Sequence, residues 1–246
     1  MRPAAAQPHR PTDPRNTPPG ARIDVAVLNL FPFRDGDRVV FDRTAPGTAN
    51  STITRTVTAP NGAGGRYVVT EVDSASPQLS DVTTYVVCTF FYGMQIQIQD
   101  PLGASGTLPG LFDNMTVLEE TTAPLYAVGG TRRRESQGDL GADIDGDGKS
   151  DSFRFEYSQI FRGFESASVL GSTGQLAHFS NIFIFTVRGT IGKGDAVVSS
   201  SEETYFAPDI GLVRRDSAAI MSNGVISTPA YSMLARSATV GLRSYP

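Results

Sequence analysis

The sequence predicts an all-β protein: a single antiparallel domain whose curved sheet forms an open half-barrel or a sandwich. Three observations lead there. With 22 Ser, 23 Thr, 25 Gly and 16 Pro among 246 residues, the composition favours strands and turns over helices. Short runs of alternating apolar and polar residues recur along the chain, separated by turn-forming residues. Helical patterning is confined to 111–120 and 218–223, neither longer than about two or three turns. A chain of this length can remove roughly 70–75% of its unfolded surface from water, enough for a substantial core.

The elements follow in order. Residues 1–20 carry six prolines and no apolar periodicity, so they read as an extended, disordered leader or linker, with the β domain spanning 21–246. The run Ile23 to Leu30 is a strand candidate. The turn Arg34-Asp35-Gly36-Asp37 leads into a second at Arg38 to Arg43. Ser51 to Thr58 alternates hydroxyl side chains with Ile53 and Val57, as a half-buried strand does. Asn61-Gly62-Ala63-Gly64-Gly65 then turns the chain into Arg66 to Val72.

Residues 82–99 form the longest β run, which Gly93 interrupts as a bulge or bend would. Its second half alternates Gln with Ile96 and Ile98. Cys88, the only cysteine, reads there as a small buried hydrophobe, and no intramolecular disulfide is possible. Further segments fall at 111–119, 123–131, 152–161, 179–191, 195–206, 210–216 and 230–240. Asn181 to Val187 is apolar on both faces, the mark of a central strand covered on both sides.

Several function classes are set aside by the same arithmetic. A net charge of -4 and a pI of about 5.2 argue against a basic nucleic-acid binder. No apolar run approaches the roughly 20 residues that span a bilayer, so no transmembrane segment is expected. His9 lies in the leader and His178 stands alone, a surface or loop residue that cannot build a zinc cluster with Cys88. Arg132-Arg133-Arg134 is read as a solvated strand end near an acidic loop, with binding of phosphate or an acidic partner as the alternative. Neither G-x-S-x-G nor G-x-G-x-x-G occurs, and Gly103-Ala104-Ser105-Gly106-Thr107 misses the last glycine of the first. Without a nucleophile–base pattern the chain reads as non-enzymatic.

One motif carries chemistry. In Asp143-Ile144-Asp145-Gly146-Asp147-Gly148-Lys149-Ser150-Asp151, carboxylates stand at positions 1, 3, 5 and 9 and glycine at position 6. Ca²⁺ takes six to eight hard oxygen ligands at about 2.3–2.6 Å. Alternate aspartates in a tight loop turn toward one centre, and Gly148 permits the turn that points the Lys149 carbonyl inward. The predicted metal set is therefore Asp143, Asp145, Asp147, the carbonyl of Lys149 and Asp151, directly or through water, holding Ca²⁺ in a structural role. The alternative is an acidic, solvated turn. Four uncompensated aspartates in nine residues repel one another, which favours a cation.

Position 12 of the loop is Arg154 where an EF-hand carries Glu, and a strand-like segment follows. The loop instead resembles the D-x-D-G-D-G-x-x-D calcium loops of integrin-type propeller blades and bacterial surface repeats. With one copy in the chain, that resemblance speaks for the site and not for a propeller. Two further segments, Phe31-Pro32-Phe33-Arg34-Asp35-Gly36-Asp37-Arg38-Val39-Val40-Phe41 and Thr204-Tyr205-Phe206-Ala207-Pro208-Asp209-Ile210-Gly211-Leu212-Val213-Arg214, resemble the F-P-L-x-x-G-x-x-W-x-Y and W-Y-A-P-G-V-G-L-V-K segments of bacterial secreted and periplasmic lipoprotein-like β proteins. Val39, Phe41 and Asp209 stand where that group has Trp, Tyr and Gly. The resemblance implies a strongly curved antiparallel sheet and an extracytoplasmic location (periplasm, outer surface or secreted), with the export signal absent from this chain. Tyr205 and Phe206 face opposite sides of a regular strand, so only one is expected in the core.

The leading expectation is a non-enzymatic protein of the cell envelope or surface, stabilised by one calcium ion, with envelope or surface proteins as partners. The second is a carrier of a lipid or other apolar ligand in the concave face. That version requires Phe183, Phe185, Ile96 and Ile98 to line an open cavity of several hundred Å³. Limited proteolysis tests the organisation: cleavage within 1–20 is expected to leave the thermal transition of the remainder unchanged. A lowered transition would place the leader in the fold.

Overall fold

A computed structural model describes residues 22–24, 30, 34–59, 66–77, 80–88, 93–99, 116–119, 125–139, 143, 146–190 and 194–246. The leader, most of the 23–30 run, Gly103 to Thr107 and Asp145 lie outside these residues, as do the side chains of Cys88, Ile96, Ile98 and Arg132 to Arg134.

Seventeen strands are described: β1 (Arg22–Asp24), β2 (Arg38–Thr44), β3 (Ser51–Thr58), β4 (Arg66–Asp73), β5 (Ser80–Cys88), β6 (Gly93–Gln99), β7 (Thr116–Glu119), β8 (Leu125–Ala127), β9 (Thr131–Asp139), β10 (Ser152–Val169), β11 (Ser172–Thr190), β12 (Gly194–Ala207), β13 (Gly211–Ser217), β14 (Ile220–Ser222), β15 (Val225–Thr228), β16 (Tyr231–Val240) and β17 (Arg243–Tyr245). There is no helix among the described residues. Both stretches with helical patterning contain strands instead, β7 and β14, because pairing with β6 and β12 overrides weak local propensity. The run 82–99 is likewise two strands and not one bent strand. β5 folds back on β6, with Cys88 opposite Gly93. Its continuous hydrophobicity hides the reversal.

Fifteen strands form one continuous antiparallel sheet that is not closed into a barrel, while β1 and β8 pair separately. The main path runs β7-β6-β5-β4-β3-β2-β16-β13-β12-β11-β10-β9. It consists of two meanders, β2 to β7 and β9 to β16, joined where β2 pairs with β16. Along this seam Phe41 stands opposite Ala235 and Val39 opposite Ala238. The largest buried cluster lies around it, with Phe41, Met233 and Val213 fully buried.

The sheet is strongly curled. Four inter-strand steps separate β4 from β13, about 19 Å if the sheet were flat. Yet Arg215 Nη1 lies 3.1 Å from Glu71 Oε2. An arginine and a glutamate on one flat face cannot bridge that gap, so the pair spans the concave side. Bulges supply local bends: the ladder shifts between Ala235 and Ser237 on β16, between Tyr205 and Phe206 on β12, and between Phe161 and Gly163 on β10. At the last of these Gly163 takes φ +111°. The strand continues through the bulge, which carries β10 and β11 well beyond the segments their apolar residues mark.

β11 is central, flanked by β10 and β12. It is not covered on both sides, since Ile182 is 43% exposed. Conversely, both Tyr205 and Phe206 are packed. Tyr205 is buried with Leu170, Leu176 and Ala207, and Phe206 meets Phe179 edge-on at 5.7 Å. The long β10–β11 hairpin contributes apolar cover to both faces here, so strand alternation does not force one ring into water.

The turn that follows has a defined chemistry. Ile210 N donates to Ala207 O at 3.2 Å, with Pro208 second and Asp209 third at φ +64°. That is the pattern of a type II turn, whose third residue needs positive φ. Gly211 follows at φ +93°, closed to β-branched side chains. Gly211→Val is therefore expected to destabilise folding by at least about 1 kcal/mol in chemical denaturation. Unchanged stability would show that the turn relaxes freely.

Candidate functional site

The predicted metal loop connects β9 to β10, which pair up to Asp139 and Ser152. Its backbone folds around one side chain. Asp143 Oδ1 accepts hydrogen bonds from Gly146 N (2.6 Å) and Asp147 N (3.1 Å), and Oδ2 from Gly148 N (2.8 Å). Asp147 Oδ1 accepts from Lys149 N at 2.8 Å, and Ser150 Oγ hydrogen-bonds Asp139 across the base of the loop. Gly146 and Gly148 both adopt positive φ, +82° and +83°, so the glycines make the turns their positions implied. Asp143, Asp147 and Lys149 are exposed, while Asp151 is buried at the mouth of β10. The loop thus supplies the hard oxygen donors calcium takes. Among the described residues no three His, Cys, Asp or Glu side chains already converge as a metal cluster, and Asp145 lies outside them.

A second polar centre, absent from the sequence reading, lies on the concave face. Arg215 on β13 reaches Glu71 on β4 through both terminal nitrogens, at 3.1 and 3.5 Å. Its Nε lies 3.6 Å from Glu202 on β12, an ion pair too long for a hydrogen bond. Arg55 flanks Glu71 at 3.9 Å. Asn181, 3% exposed, links this group to the long hairpin. It donates to Thr204 Oγ1 (3.0 Å) and Glu202 Oε1 (3.4 Å) and accepts from Tyr157 and Gln159. Strand alternation carried the signal: Glu71 lies between Val69 and Asp73 on one face, and Arg215 between Val213 and Ser217.

The two carboxylates titrate in opposite directions. Burial pushes Glu71 up, but the guanidiniums of Arg215 and Arg55 outweigh it, leaving its pKa below the ordinary value. Burial also pushes Glu202 up. Arg215 offsets part of that, and the charges of Glu71 and Glu203 add to it, so its pKa stays raised. Arg215 is held well above its usual value, since the two glutamates outweigh its own desolvation.

On the opposite face of β12, His178 sits between two glutamates and is neither a loop nor a fully exposed residue. Its Nδ1 lies 2.7 Å from Glu165 and its Nε2 2.5 Å from Glu203. The ring stacks on Tyr205 at 4.4 Å, over which Arg214 also lies while pairing with Asp216 at 2.6 Å.

Between these two polar groups the sheet opens. β13 ends at Ser217, and the chain leaves through Ala218, whose N donates to Ser201 O at 2.8 Å, into the β14–β15 hairpin. The gap left between β12 and β16 is a cleft of about 650 Å³, walled by Glu202 and Glu203, Asp216 and Ser217, and Tyr231 and Ser232. Phe183 and Phe185 do not line it. They pack with Tyr157 and Phe153 around buried Phe155, at ring distances of 5.1 and 5.8 Å.

No protein-family profile and no curated protein matches the chain. Two solved structures are similar in fold. A lipoprotein candidate from Parabacteroides distasonis aligns at 10% identity with a TM-score of 0.42. An exported-protein candidate with a YmcC-like fold from Bacteroides fragilis aligns at 12% identity with a TM-score of 0.41. Each alignment covers 85% of this chain and 98% of the other. At that level of agreement neither assigns a role to this chain.

The ionic centre yields a pH-dependent expectation. Glu71, with its folded pKa lowered, contributes stability above the ordinary carboxylate value that is lost as pH falls through its folded pKa. Glu202, with its folded pKa raised, costs stability as pH climbs from about 4.3 through its folded value. Glu202→Gln is therefore expected to match the wild type at pH 4 and exceed it at pH 7. Arg215→Met leaves both carboxylates without their shared cation and is expected to lose about 3–5 kcal/mol at pH 7, less at pH 4. Urea denaturation at both pH values measures this. Equal losses at the two would show that Arg215 acts through packing alone.

Proposed function

We propose that the chain is a non-enzymatic, extracytoplasmic β scaffold of the cell envelope or surface, stabilised by one calcium ion bound at 143–151. The observation that carries the metal is the fold of the loop around Asp143, with two positive-φ glycines at the spacing a calcium loop needs. Asp143, Asp145, Asp147 and Asp151 would supply carboxylate oxygens and Lys149 its carbonyl. The ion would tie the β9 edge of the sheet to the long hairpin. The non-catalytic reading draws on how the charged groups near the cleft are used. Glu202 faces Arg215, Glu203 faces His178 and Asp216 faces Arg214, each held in an ion pair between strands. The envelope location draws on the two lipoprotein-like segments. They fall on β2 and across the β12–β13 turn, on either side of β16, where a curved sheet would need them.

The carrier reading has one observation in its favour, the half-buried rings of Phe153, Tyr157, Phe183 and Phe185. They pack mainly against one another, so the scaffold reading stands first.

Calcium binding is tested by melting. At free Ca²⁺ 100 times the dissociation constant, linkage gives about 2.7 kcal/mol, a rise of roughly 5–10 °C for a chain of this size. Asp145→Ala is expected to abolish most of the rise. Superimposable melting curves in millimolar Ca²⁺ and in chelator would overturn the proposal.

A further inference from the structure

The surroundings of His178 fix how many protons its site must hold. Nδ1 lies 2.7 Å from Glu165 on β10 and Nε2 lies 2.5 Å from Glu203 on β12. The side chain is 13% exposed, so water does not readily replace a lost partner. A neutral imidazole carries one N–H and donates to one carboxylate only; its other nitrogen then turns a lone pair toward the second. Two hydrogen bonds need two hydrogens. The second arrives when the ring, or one of the two carboxyls, takes up a proton. Besides the glutamates, the ring faces Tyr205 on β12, stacked at 4.4 Å. Behind that ring stand Arg214 and Asp216 on β13, whose charges offset each other at 2.6 Å.

The place of this site in the fold gives that count a mechanical meaning. His178 stands opposite Gly163, the residue at φ +111° where the β10–β11 ladder shifts register. Beyond this point the hairpin runs on as an arm over 164–177. The arm lies against the sheet: β10 approaches β16, four positions away along the sheet path, and Leu170 and Leu176 are buried with Tyr205 and Met233. Glu165 belongs to the arm, His178 to its root and Glu203 to the wall beside it. Glu203 also accepts from the Ser180 hydroxyl at 2.5 Å, whereas Glu165 is the more exposed of the two carboxylates. When one of the two contacts has to be given up, it is therefore the one to Glu165.

We propose that Glu165, His178 and Glu203 form a protonation-dependent latch on the β10–β11 arm. With the extra proton the imidazole bridges both carboxylates and ties the arm to β12. Without it the ring keeps Glu203, Glu165 is freed, and the arm opens more often about Gly163, uncovering the apolar residues around Leu176. The latched form binds one proton more than the released form, and that proton passes to solvent on release. Acid therefore tightens the arm, and a rise in pH loosens it.

Hydrogen–deuterium exchange on the full chain tests the latch, at about pH 5.5 and 8.5, on either side of the range in which imidazoles titrate. Each rate is corrected for the intrinsic pH dependence of amide exchange. Protection of 164–177 is expected to be about tenfold lower at the higher pH, the scale of one charge-assisted hydrogen bond, while protection of β2 and β3 changes less. Glu165→Gln is expected to remove the difference. An amide donates to an imidazole lone pair as well as accepting from its N–H, so a neutral ring keeps both contacts. His178→Phe, which keeps a ring against Tyr205 but has no ring nitrogen, is expected to hold the arm at the lower protection at both pH values. Equal protection of the arm at the two pH values in the wild type would overturn the proposal by itself, whether or not the variants fold. So would a difference that survives in Glu165→Gln, or a loss shared equally by β2 and β3.

Discussion

The contact between Arg215 and Glu71 constrains the molecule more than any other single interaction. It joins the two meanders on the concave side, across three intervening strands. Its net contribution to stability is a separate matter. Desolvating three charged groups costs several kcal/mol per ion, and buried ion pairs are often no more stabilising than apolar side chains of the same size. What the pair supplies is selectivity. A flatter sheet would separate Arg215 from Glu71 and leave each only its neighbouring-strand partner, Glu202 for Arg215 and Arg55 for Glu71, so the curvature that joins all four is favoured. The apolar clusters reward burial without direction, whereas this contact rewards one radius.

The asymmetry between the two glutamates follows from the same geometry. Glu71 receives two guanidinium nitrogens and a second arginine, while Glu202 receives the remaining Nε at longer range. One cation cannot satisfy two buried carboxylates equally. The less favoured one lies at the cleft, where solvent or a ligand can reach it. The strong pairing of Glu71 is thus what leaves Glu202 the smaller share of the Arg215 charge.

Much of the fold was legible in the sequence, because β2, β3, β4, β13 and β16 lie between clear turn residues and β3 and β16 alternate more and less buried side chains. The reversal between β5 and β6 was not, since apolar residues run through it without a turn signal. The length of β10 was hidden for the opposite reason: beyond Phe164 it reads Glu165, Ser166, Ala167, Ser168, a mostly polar stretch without apolar patterning that pairing with β11 keeps in the strand. The metal loop was recognisable because its ligands are close in sequence. The ionic centre was not, because Glu71 and Arg215 are 144 residues apart and meet only once the sheet has curled. His178 was misplaced for a similar reason: a lone histidine carries no local sign of the two glutamates that other strands bring to it.

The seam between β2 and β16 has a consequence for synthesis. Its partners are separated by nearly the whole chain, with Thr44 opposite Ser232 and Arg38 opposite Thr239. On a ribosome, β2 emerges early and then waits. The meanders on either side can pair internally as they appear, but the strand that unites them is among the last to be made. Until then the long edge of β2 is an open template for any other extended segment. Closing so large a loop is slow, and a nascent chain of this topology must be kept from pairing with its neighbours until β16 arrives.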